Sequence, residues 1–250
     1  MPDERDGVPG DVLVEEGPLG LIVRPRGAAA GPVVLYVHGD RHLTGDPEAA
    51  LDTAGRLARR TGTTVVCARY RAAFPTALDD VQAAYTGCGS TEPVAVAGEG
   101  IGAGLVAALL VRLRDSGAPM PRRAALVSAL LDLSLQAASL QLNAAADPGF
   151  DLAELRRRVA AYAEGTALTD PLLSPLFANL HGLPPVQLLV AGTDPLLDDS
   201  LAFAARGARS GVTVDLQVRP DAAALRAAAV PALAAFIGER SPAAPTARPA

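Results

Sequence analysis

The residues Gly98-Glu99-Gly100-Ile101-Gly102 follow a short apolar run and lead into a longer one that ends near Arg114. This reads as a strand, a sharp glycine turn and a helix, the arrangement in which a G-x-S-x-G elbow holds a serine out for nucleophilic attack. Both flanking glycines are present, but Gly100 stands in the serine position and carries no oxygen. A strand, glycine loop and helix can also cradle a dinucleotide. Here the spacing is G-x-G-x-G where that fingerprint needs G-x-G-x-x-G, and no acidic residue ends the next strand. No cofactor is expected. The two cysteines, Cys67 and Cys88, lack metal-ligand spacing and read as buried thiols. There is no lysine, which excludes Schiff-base chemistry.

The elements that must position such a turn follow from the pattern of apolar runs. Asp11–Glu15 and Leu19–Arg24 form a hairpin around Gly17-Pro18, and Pro32–Val37 is a continuous apolar run of the kind buried on both faces of a sheet. Helical spacing over Asp46–Arg60 precedes a β-branched run at Thr63–Ala68, and Thr76–Tyr85 is a second helix. After the elbow come strands at Ala124–Ser128, Val186–Ala191 and Val212–Val218, with helices at Ser200–Ser210 and at Ala222–Ile237, the last interrupted by Pro231. The alternation predicts an α/β fold of about eight strands in a mostly parallel sheet flanked by helices. A helical insertion spans 134–165. One domain over 10–240 and a disordered Pro/Ala tail at 241–250 complete the expected organisation.

Half of the 250 residues are hydrophobic and the net charge is −5, with no basic block longer than Arg156-Arg157-Arg158, so nucleic acid is not an expected partner. No apolar run is long enough to span a membrane, and the acidic, polar start is unlike a secretory signal, so a cytoplasmic location is expected.

In several separate motifs the chain resembles the hormone-sensitive-lipase-like branch of the α/β-hydrolase carboxylesterases. The elbow Gly98–Leu105, the loop His38-Gly39-Asp40-Arg41-His42-Leu43-Thr44-Gly45, the segment Tyr70–Asp80, Asp170–Pro175 and the acid loop Ala191–Asp199 carry the resemblance. It implies an α/β-hydrolase fold with the 134–165 insertion as a small helical cap, and places Asp194 where the family has its triad aspartate. It also marks departures. The strand-end motif that should carry the triad histidine reads Arg219-Pro220-Asp221-Ala222-Ala223-Ala224, and the second and third glycines of the oxyanion loop are Asp40 and Arg41. Relatives of this kind often pair through the last strand and helix, so a homodimer is possible.

With serine and histidine both replaced, the usual acyl-enzyme route is closed. Asp194, Asp40 and His42 are the candidate catalytic groups, with His38, Gly39, Arg41, Glu99, Gly100 and Ile101 as candidate ligand contacts. Asp194, without its histidine, is expected to be unpaired and suited to proton transfer; the competing reading has it capping the turn through the amides of Leu196 and Leu197. His38 reads as a loop anchor, Glu99 tends to turn away from the pocket, and Arg41 either pairs with Asp40 or binds a substrate carboxylate. Ser90 and Ser128 lie near strand ends, off the elbow. Leu140, Leu142, Phe150, Leu152, Leu155 and Tyr162 are available to roof the pocket. The expected function is a non-hydrolytic tailoring enzyme of specialised metabolism (an isomerase, epimerase, cyclase or lyase) acting on an apolar small molecule or short peptide. The alternatives are a ligand-binding pseudoenzyme and a scaffold.

Overall fold

The computed structural model describes residues 11–27, 32–40, 43–88 and 95–239. Its eight strands are β1 (Val12–Gly17), β2 (Gly20–Pro25), β3 (Val33–Val37), β4 (Thr64–Ala68), β5 (Ala95–Glu99), β6 (Arg123–Val127), β7 (Val186–Ala191) and β8 (Val214–Arg219). They form one sheet in the order β1-β2-β4-β3-β5-β6-β7-β8. The β1–β2 and β2–β4 pairings are antiparallel and the other five are parallel. The helices are α1 (Leu51–Thr61), α2 (Thr76–Gly87), α3 (Ile101–Ser116), α4 (Ser139–Leu142), α5 (Leu152–Ala163), α6 (Leu197–Arg209) and α7 (Ala222–Gly238). One buried apolar cluster lies between the sheet and α2, α3 and α6, and a second between the sheet and α1 and α7. The expected α/β sheet flanked by helices is therefore what the chain forms.

The central strands β3, β5, β6 and β7 are apolar along almost their whole length because both faces are covered. Helix α3 is buried from Ile101 to Val111, so it lacks the two-faced character of α1. Two expectations fail locally. Helix α1 begins at Leu51, not Asp46, with turns before it. Helix α7 runs through Pro231 without interruption. The missing amide costs the helix its bond to the carbonyl four residues earlier, that of Ala227, and Ala227 is exposed, so the loss falls on the solvent side of the helix. The expected tail at 241–250 lies outside the described residues.

Chain order sets where a site forms. From β3 the chain moves to β4 on one side, and from β5 to β6 on the other, so the crossover connections diverge between β3 and β5. Such a switch point leaves a crevice at the carboxyl ends of the strands.

Candidate functional site at the carboxyl ends of β3, β5, β6 and β7

Strand register brings the site residues together. Val37 of β3 pairs with Gly98 of β5, so His38 and Glu99 leave the sheet side by side. Their side chains meet with His38 Nδ1 2.5 Å from Glu99 Oε1. Glu99 in turn pairs with Val127 of β6, which sets Gly100 beside Ser128. The Gly100 N–H donates to Val127 O at 3.1 Å and Gly100 O accepts from Leu130 N–H at 3.1 Å, so the elbow is stitched to the end of β6.

Gly100 holds φ +56°, a left-handed conformation natural to glycine. A Cβ added there would lie 2.4 Å from Gly39 O. The loop after β3 has closed over the place where an elbow side chain would stand. It fits because it too is glycine: a Cβ on Gly39 would meet Gly102 N at 2.3 Å. Restoring the serine is therefore expected to fail. Gly100→Ser should destabilise the fold by about 1–3 kcal/mol, the scale of local backbone strain, and add no esterase activity. A variant with the parent's urea midpoint and a burst of covalent acyl-enzyme would contradict this.

Asp40 is occupied within its own loop. Its carboxylate accepts from Thr44 N–H at 3.0 Å and Thr44 Oγ1 at 3.1 Å, and its N–H donates to Thr44 O at 3.1 Å. That amide is thus not directed at a reacting oxygen. The first amides of α3 are free of the helix ladder, which begins only with Gly104 N–H to Gly100 O, and of their residues Ile101 lines the cavity. They form the positive end of the long helix α3. Arg41 and His42 lie outside the described residues, as does Ser90.

Asp194 is not the unpaired carboxylate expected. Its Oδ2 accepts from the Ser128 hydroxyl at 2.6 Å and its Oδ1 from Leu196 N–H at 2.8 Å, while Leu197 N–H bonds its backbone carbonyl at 3.1 Å. Capping and pairing are both present. Ser128 holds φ +42°, a strained backbone for a residue with a side chain, and sequence gave no sign of it. After β8, Asp221 caps α7 by accepting from Ala224 N–H at 2.8 Å, so a helix begins directly at Ala222.

A cavity of about 510 Å³ joins these parts. Its end at the elbow holds His38, Glu99, Gly100, Ser128 and Asp194, and Gly39, Asp40 and Ile101 also line it. Phe150 and Leu155 come from the 134–165 segment. Leu140 and Tyr162 are instead buried in the core, and Leu142 is 80% exposed. A second arm, which sequence reasoning missed, runs between α1 and α7 past Tyr36, Thr53, Arg56, Arg226 and Leu233. The small Ala222 and Ala229 leave it open.

Electrostatics single out His38. Burial opposes its charge, but the hydrogen bond and charge of Glu99, helped by Asp40 and Asp46, hold its imidazolium to higher pH than usual. The expectation that Glu99 turns away from the pocket fails: it lines the cavity and also faces the buried Tyr36 hydroxyl, whose pKa burial and Glu99 raise. His38 Nε2 has no hydrogen-bond partner among the described residues. The thiols are poor nucleophiles, since burial pushes Cys67 up to about 12 and Cys88 to about 11. Among the described residues, no cluster of His, Cys, Asp or Glu could hold a metal ion, and no helix is long and apolar enough to cross a membrane.

Comparison with known proteins gives the site its context. A family profile for the alpha/beta hydrolase fold matches residues 34–223. An acetyl-hydrolase of Streptomyces hygroscopicus is 34% identical over 222 residues, covering 85% of this chain and 74% of that protein. An esterase of Acinetobacter venetianus is 30% identical over 200 residues, covering 76% of this chain and 66% of that protein. A crystal structure of an esterase from the bacterial hormone-sensitive lipase family has a TM-score of 0.85 at 30% identity, over 92% of this chain and 85% of that one. These relatives are hydrolases. They overturn the expectation of a non-hydrolytic isomerase, epimerase, cyclase or lyase, and with it the alternative of a pseudoenzyme that only binds. The misjudgement came from equating the elbow serine with hydrolysis itself. A base and a polarised carbonyl suffice for water to attack an ester.

Proposed function

We propose, for a chain that belongs to the alpha/beta-hydrolase fold family, that this cavity hydrolyses small carboxylic esters by direct attack of water, without an elbow serine or a triad histidine after β8. The observation that carries the reading is the His38–Glu99 pair at the elbow, with Nδ1 on the carboxylate at 2.5 Å and Nε2 unpartnered among the described residues. A carboxylate on Nδ1 fixes the tautomer and orientation of the ring and stabilises the imidazolium, while Nε2 is left to accept a proton. In the proposed reaction Nε2 takes a proton from water as its oxygen bonds the ester carbonyl carbon. The carbonyl oxygen becomes an oxyanion against the Ile101 amide at the start of α3, where the helix dipole favours negative charge. Collapse breaks the bond to the alkoxide, which takes the proton from His38 and leaves with it. The Ser128–Asp194 bond at 2.6 Å keeps the floor of the site in place. Support for an ester as substrate comes from the relatives, named acetyl-hydrolase and esterase.

The test is p-nitrophenyl acetate turnover followed together with the intact mass of the quenched protein. Steady hydrolysis with no acetylated protein is expected. An acetyl adduct would replace water attack by a nucleophilic side chain, and absence of turnover would refute the reading. The rate should also rise with pH through a pKa above the ordinary histidine value, because the neutral ring is the base and Glu99 delays its appearance. Glu99→Gln should move that inflection to lower pH.

A further inference from the structure

The acid loop and first turn of α6 carry three carboxylates, and each holds a different point of the segment that leaves β6. Asp194 accepts from the Ser128 hydroxyl at 2.6 Å. Asp199 Oδ2 accepts from Leu131 N–H at 2.8 Å and Asp132 N–H at 3.0 Å. Asp198 accepts from Ser139 N–H at 2.8 Å. Between the first two anchors lies Leu130, whose N–H holds the elbow carbonyl of Gly100 at 3.1 Å. The elbow therefore rests on a strap tied at both ends to one rigid element.

Asp199 is the anomalous tie. It is 3% exposed and, among the described residues, has no ion pair. The charged groups facing it are the carboxylates of Asp132 and Asp198, both of its own sign. Burial drives its pKa up to about 7, against the pull of the two amide bonds. A buried carboxylate without a cation is a costly way to satisfy two amides. It has no contact with the cavity, so the reaction does not use it directly.

We infer that Asp199 is a positioning residue for the hydrolysis proposed above, its carboxylate holding Leu131 and Asp132 so that Leu130 fixes Gly100 and Ser128 meets Asp194. The inference rests on that reading for its kinetic consequence but has a structural consequence of its own. Without the tie, the strap loosens and the elbow amides of α3 lose their aim at the developing oxyanion. Binding of the ester, which depends on the cavity walls, changes little.

The experiment compares the parent with Asp199→Ala and Asp199→Asn by amide hydrogen exchange and by p-nitrophenyl acetate kinetics. In Asp199→Ala, exchange at Leu130, Leu131 and Asp132 should rise at least about tenfold, with exchange in β7 unchanged. Its kcat should fall about tenfold with KM within about twofold. Asp199→Asn keeps a neutral acceptor and should restore most of kcat. Should Asp199→Ala not fold, Asp199→Asn carries the comparison, with smaller rises in exchange and a smaller fall in kcat. Unchanged exchange at Leu130 in every folded variant overturns the inference, whether or not the parent turns over. Raised exchange with kcat and KM both unaltered reduces Asp199 to a structural tie and also overturns it. A parent that shows no turnover defeats the hydrolytic reading alone, and exchange at Leu130 then decides the positioning.

Discussion

His38→Ala is expected to lower kcat/KM for p-nitrophenyl acetate by about 10²–10⁴, the range that a positioned general base supplies, while leaving the fold intact. The side chain is mostly enclosed, with 17% of its surface accessible, and its one polar partner among the described residues is Glu99. The loop it starts is held by other bonds, including Tyr70 Oη to His38 O at 2.8 Å, which an alanine keeps. Loss of rate should therefore come without a large loss of stability. Glu99→Gln is the discriminating companion. It keeps a hydrogen-bond acceptor near Nδ1 but removes the charge that stabilises the imidazolium, so it should cost less than His38→Ala and shift the pH profile as well. If His38→Ala retained parental kcat/KM, the base would have to lie elsewhere. Asp194, whose carboxylate accepts from the Ser128 hydroxyl at 2.6 Å, would be the next base to test, with Ser128 as its nucleophile. Ser128→Ala separates the two possibilities: it should cost no more than about tenfold in kcat if water attacks directly and the hydroxyl only holds the floor of the site, and far more if its oxygen is the nucleophile.

The glycines made the elbow legible in sequence. Glycine is needed there because a Cβ on Gly39 would meet Gly102 N at 2.3 Å and one on Gly102 would meet Val37 O at 2.2 Å. The strands were legible too, since sheets buried on both faces need unbroken apolar runs such as Val33–Val37 and Val186–Ala191. What sequence could not supply was register. His38 and Glu99 are 61 positions apart, and they touch only because Val37 pairs with Gly98. A shift of one residue would have pointed Glu99 to the other face. Ser128 reads in sequence as a strand-end residue off the elbow, and nothing in Val127-Ser128-Ala129 signals its left-handed backbone. Asp40 looked like an intruding charge near the oxyanion loop, and it closes the loop instead. The functional expectation has the same root: it rests on single motifs, and the His38–Glu99 pair lies in no single motif.

Asp199→Asn is expected to make the protein more stable at neutral and alkaline pH than the parent, and equally or less stable in acid. The Asp199 carboxyl has a folded pKa of about 7 against an ordinary value of 3.8, with burial as the main cause and Asp132 and Asp198 adding to it. Its folded-state pKa is raised, so below the unfolded value both states carry the proton and the group imposes no penalty. As pH climbs from about 4, the unfolded chain ionises while the folded chain holds its proton. Stability then falls by up to about 1.4 kcal/mol per pH unit and levels off above about pH 7. Asparagine does not titrate, so the parent-minus-variant difference isolates this slope, and the titration of His38 cancels because both proteins share it. Urea midpoints from pH 5 to 8.5 give the measurement, and parallel curves for the two proteins would refute it. The outcome bears on why an acid stands here at all. A carboxylate that lowers stability at neutral pH does nothing for the fold that an amide of the same shape would not, so any advantage it has lies in how it holds Leu131 and Asp132. The strap that Asp199 holds ends at the two points where the elbow and the acid loop must meet, Gly100 and Ser128. A variant more stable yet slower than its parent would show that the carboxylate's cost is tied to the geometry it enforces.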